Sequence, residues 1–136
     1  MRSIFVIVLA AMLSACADNK ERNAFQEKLA ARLATDPDLK DYNLDPKEVA
    51  ECVTGEIAKT LPGFRGSPAR KPYWEAYAAF ESARTTEEAL AAVKRYQTVF
   101  GSEKQASAAA LGVTEYIMNC MGNMIEAAHP TPEAGN

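Results

Sequence analysis

From Glu103 to Ala128 the apolar residues Ala106, Ala110, Val113, Ile117, Cys120 and Met124 recur at steps of four and three. That spacing lines one face of an α-helix and leaves no trace of the two-residue alternation of a half-buried strand. A helix of this length is roughly 40 Å long at ~1.5 Å per residue, and its apolar stripe has to be buried against other elements. Strand signals are nearly absent from the rest of the chain, so the covering elements are expected to be helices. The stripe also turns Cys120 towards the core.

Helix punctuation divides the remainder. A first helix is expected from about Asp18 or Asn19 to Ala34, with Asp18 and Glu21 at capping-box spacing and Ala24, Phe25, Leu29 and Leu33 along one face. Thr35-Asp36-Pro37 stops it. The stretch from Asp36 to Leu44 reads as a loop whose Leu39, Tyr42 and Leu44 fold back on the domain. Asp45-Pro46-Lys47-Glu48 is a strong start signal, an aspartate cap with proline at the first helical position, and predicts a second helix to about Thr60. Its Val49, Cys52, Val53 and Ile57 share a face, so Cys52 also points inward.

A third helix begins near Pro72 and carries Tyr73, Trp74, Tyr77 and Phe80. Trp74 lies one position off the line of the other three, which predicts that it stays partly accessible. Thr85 and Glu88 open a fourth helix with Ala89, Leu90, Val93, Tyr96 and Phe100 as its apolar stripe. Gly101 closes it and Ser102 opens the fifth, with Gln105 in the reciprocal capping position. A turn this short makes the fourth and fifth helices neighbours. The fold class read from these signals is all-α, a compact bundle of about five helices.

The N-terminus has a different character. Met1-Arg2-Ser3 carries one positive charge, Ile4 to Met12 is apolar, and Leu13-Ser14-Ala15-Cys16 follows. The apolar run is about half of the ~20 residues that a spanning helix requires, so it reads as the hydrophobic part of a signal peptide. Leu13, the small Ser14 and Ala15, and Cys16 resemble the signal of bacterial lipoproteins. The resemblance covers only about the first twenty residues. It implies removal of residues 1–15, lipidation of Cys16 as the first mature residue, and a membrane contact made through that lipid. It also implies the outer over the inner membrane, because Ala17 and not aspartate follows Cys16, with the domain on the periplasmic side. Ordinary secretion is the competing reading, since Ala15-Cys16-Ala17 also fits a small-x-small cleavage site.

With Cys16 lipidated, Cys52 and Cys120 are an even pair in a chain bound for an oxidising space, and one inter-helix disulfide is the simplest outcome. Two buried free thiols are the alternative. There is no C-x-x-C motif for redox chemistry. Residues 16–128 form one expected domain, and 129–136, rich in proline and free of apolar periodicity, a flexible tail.

Few chemical classes survive the remaining residues. Acids outnumber bases by 18 to 14 once the segment holding Arg2 is removed, which argues against nucleic acid as a partner. His129, the one histidine, sits at a helix end where a fixed orienting partner is hard to build. Asp36, Asp38 and Asp41 fail the calcium-loop spacing. Met118, Met121 and Met124 diverge around their helix, so they read as core and not as a Cu(I) site. No catalytic residue, metal or cofactor is expected.

The segment Leu61 to Pro72 is long for a helix connection and carries Arg65, Arg70 and Lys71 without an acid. A solvated connector is its plainer reading. As a contact surface, its three cations with Trp74 would suit an anionic partner. The function expected from the sequence is that of a small lipid-anchored envelope protein with a binding or structural adaptor role. The alternative is a module that binds a small ligand or lipid between helices.

Overall fold

The fold is that of a computed structural model, which describes residues 19–130. Cys16, the signal segment, the Asp18 cap and residues 131–136 of the tail lie outside the described residues. Within them the chain is all-α. Helix α1 spans residues 19–33, and α2, Pro37–Asp41, is a single turn. The longer helices are α3, Pro46–Thr60, α4, Lys71–Ser82, α5, Thr86–Phe100, and α6, Glu103–Ala128. A 3₁₀ turn over Pro68–Arg70 leads into α4.

The expected caps are made where local chemistry specified them. Lys47 N–H donates to Asp45 Oδ1 at 2.8 Å, with Pro46 at the first helical position. Glu88 N–H donates to Thr85 Oγ1 at 3.1 Å, while the Glu88 carboxylate accepts from Arg84 N–H at 2.7 Å. Gln105 N–H donates to Ser102 Oγ at 3.1 Å. Gly101 has φ +96°, the left-handed conformation that ends α5 and reverses the chain into α6 at little steric cost.

Among the described residues the helices number six, the five expected and one further turn. Asp36-Pro37 repeats the cap-and-proline start of Asp45-Pro46: Asp38 N–H donates to Asp36 Oδ1 at 2.9 Å and turns the expected loop into α2. That turn buries Leu39, and Leu44 packs at the core margin. Tyr42 does not fold back; it caps α2 and is 59% exposed.

α6 packs against both α3 and α5, and α5 against α4. The core gathers Phe25, Leu29 and Leu33 of α1, Val49, Val53 and Ile57 of α3, Trp74 and Tyr77 of α4, and Val113, Ile117 and Cys120 of α6. Cys52 and Cys120 form the inter-helix disulfide, joining α3 to α6 with Cα atoms 6.0 Å apart. α5 lies on one flank, with Val93 its one buried residue. Its Phe100 meets Tyr73 and Tyr77 edge-on at centroid distances of 5.3 and 5.7 Å. Because α5 is covered on one side only, Leu90 is exposed despite its place in the expected stripe. Met118 likewise faces solvent, whereas Met121 and Met124 pack on the core.

The largest correction concerns Trp74, which is completely buried. α1 crosses α4 on the Trp74 side, bringing the Phe25 ring within 5.8 Å of the indole and within 5.7 Å of Tyr77. One ion pair and one hydrogen bond bind the same helix pair. Arg32 Nε lies 2.7 Å from Glu81 Oε2, and Lys28 Nζ donates to Ser82 Oγ at 2.7 Å.

Candidate functional site

The loop between α3 and α4 is built around one arginine. Arg70 Nε donates to the carbonyl of Pro62 at 3.0 Å, and Nη2 to those of Leu61 and Gly63 at 3.3 and 2.9 Å. Ser67 N–H donates to the Phe64 carbonyl at 2.9 Å, and Gly63, at φ +74°, lets the chain turn tightly enough to present its oxygen inward. A Cβ at Gly63 would stand 2.9 Å from Ser67 Oγ, so both conformation and space call for glycine. The segment is therefore an ordered scaffold. Phe64, 74% exposed, stands at its tip beside the exposed Arg65.

Of the residues expected to make a partner contact, only Arg65 and Lys71 are presented to solvent. Arg70 is buried and committed to its own loop, and Trp74 belongs to the core. Lys71 lies on the first turn of α4, 3.8 Å from Glu75. The fold replaces the expected row of three cations with a different group. Arg22 of α1, Ala58 and Lys59 of α3, Arg65 and Arg70 line one open groove of about 210 Å³.

Four of those five residues are cationic. Lys59 Nζ is 2.6 Å from Glu56 Oε1. Among the described residues, Arg22, Arg65 and Arg70 make no ion pair with a carboxylate. Arg70 has its charge held in place by carbonyl dipoles, which orient the guanidinium without neutralising it. Such a site attracts anions, and its planar guanidinium groups suit phosphate or carboxylate oxygens. Arg22 and Lys59 were missed in the sequence because they lie 37 positions apart and share no motif; only the packing of α1 beside the end of α3 unites them.

Two other features have unusual electrostatics. Burial pushes the Tyr77 hydroxyl up to about 12, reinforced by the neighbouring Tyr116 and Tyr73. Burial also raises the Glu81 carboxyl above its ordinary value, against the lowering influence of Arg32. Both groups sit in packing interfaces between helices. Among the described residues no three His, Cys, Asp or Glu side chains gather as a metal site would require. No described helix is long and apolar enough to cross a membrane. No protein-family model, curated protein or solved structure matches the chain.

Proposed function

We propose that this chain is a small cell-envelope lipoprotein, anchored through acylated Cys16, whose helical domain serves as a binding or structural adaptor on the periplasmic side of the outer membrane. The observation that carries the anchoring is Leu13-Ser14-Ala15-Cys16 at the end of a short apolar run. Two or more acyl chains hold a protein on a bilayer where one does so only marginally. The Cys52–Cys120 disulfide supports an oxidising compartment, where such bonds form and persist. The cationic groove supports a binding role, because it concentrates positive charge on a chain of net charge −3. The reading assigns no enzymatic activity.

Cys16→Ala tests it. The variant is expected to leave the membrane fraction or to remain unprocessed, and the mature wild-type mass is expected to show an acylated Cys16. An unmodified mature chain beginning at Asp18 would overturn the anchoring.

A further inference from the structure

We infer that the groove of Arg22, Lys59, Arg65 and Arg70 receives the phosphate of an anionic phospholipid headgroup, seating the domain on the bilayer with the Phe64–Arg65 tip at the interface. The inference deepens the proposed anchoring and rests on it for the orientation of the domain.

Two observations select a lipid surface as occupant. Arg22 is six residues beyond Cys16, a span of at most ~20 Å, so a chain tethered at Cys16 keeps this groove near the headgroups. The tether thereby supplies a high effective concentration that a weak site needs. Next, the exposed Phe64 immediately precedes Arg65, which lines the groove. An aromatic side chain flanked by cations is the combination that lies in a membrane interface, its ring at the acyl boundary and the charges on the phosphates. Arg70, fixed by three carbonyls, adds a cation that needs no reorganisation on binding.

The test uses the full, acylated chain carrying Phe64→Trp in phosphatidylcholine vesicles with brominated acyl chains, with or without phosphatidylglycerol. Trp74 is completely buried, so the change in quenching reports the introduced indole. Quenching is expected to be stronger with phosphatidylglycerol. The difference should vanish in the Arg22→Gln/Arg65→Gln background, whose replaced side chains make no ion pair among the described residues. Equal quenching on the two vesicle types, or quenching indifferent to the double substitution, overturns the inference.

Flotation of the same samples reads the anchor separately. A chain that floats on both vesicles without phosphatidylglycerol-dependent quenching keeps the anchor and loses the docking. The unacylated Cys16→Ala chain still reports on docking. It should bind phosphatidylglycerol vesicles, and the double substitution should weaken that binding about 25-fold, fivefold for each cation at ~1 kcal/mol apiece. Inorganic phosphate should compete no better than chloride at equal ionic strength. Selective release by phosphate without preference for phosphatidylglycerol would assign the groove to a free anion and overturn the lipid assignment.

Discussion

Arg70 Nη2 stands 2.9 Å from the carbonyl oxygen of Gly63 and closes a loop across seven positions. With Nε on Pro62, the planar fork serves carbonyls that no helix or strand satisfies. An ammonium group is a point charge on a flexible stem and cannot reproduce that geometry. Arg70→Lys is therefore expected to destabilise the fold by about 1–3 kcal/mol, nearly as much as Arg70→Ala, chiefly through the buried Leu61 carbonyl left unpaired. Urea melts of the two variants check this; full rescue by lysine would show that charge alone matters.

The Cys52–Cys120 bond closes a loop with a sequence separation of 68. The chain-entropy relation gives about 4 kcal/mol for a loop of that length. Cys52→Ala/Cys120→Ala should lose stability of this order while keeping its helix content near native conditions. Thermal melts of the oxidised chain, the reduced chain and the double variant measure the loss, and the last two should agree.

Tyr77 predicts an alkaline limb. Its hydroxyl has an ordinary value of 10.0 and is held at about 12 in the fold by burial and by Tyr116 and Tyr73. The folded state therefore binds the proton more tightly, so its contribution is complete below pH 10 and is lost as pH rises towards 12. Two units correspond to about 2–3 kcal/mol. Tyr77→Phe should flatten stability across this window while costing little at neutral pH, as read from denaturant midpoints between pH 9 and 12.

Glu81 predicts behaviour on the acid side. Burial raises its carboxyl above the ordinary 4.5, and Arg32 offsets only part of that effect. A raised carboxyl favours the fold below the unfolded value, and the benefit is lost as pH rises through the folded value. Glu81→Gln is thus expected to leave stability at neutral pH unchanged or higher and to remove the pH dependence above 4.5. Arg32 is half exposed, so loss of the pair costs little. A large loss at neutral pH in Glu81→Gln would contradict the balance.

The sequence spoke most clearly where the physics is local. Asp45, Thr85 and Ser102 were legible as caps because each bonds an amide two or three residues away. The inward turn of Cys52 and Cys120 followed from helical phase alone. Asp36-Pro37 carried the same signal as Asp45-Pro46, but it read as a stop because the helix it starts is one turn long. Trp74 and Leu90 were misplaced for a different reason: propensity and period define a stripe, while the neighbouring helix decides how wide it is. α1 widened the buried face of α4 to take in Trp74, and the flank position of α5 narrowed its own. The groove was least legible. Arg65 could be picked out in the sequence, but the recruitment of Arg22 and Lys59 and the withdrawal of Arg70 depend on contacts that no linear pattern encodes.

The disulfide also divides the domain mechanically. It shorts the chain between Cys52 and Cys120, so α4 and α5 lie inside a covalent ring while α1 and α2 lie outside it. A pull at residue 19 loads the Phe25–Trp74 contact and the Arg32–Glu81 pair before it reaches the ring. Residues 19–51 can then lengthen to roughly 110 Å at ~3.4 Å per residue, and there Cys52 hands the tension directly to α6. A domain held by its N-terminal end would thus stretch like a leash on a locked frame, giving way in α1 while the ring stays closed.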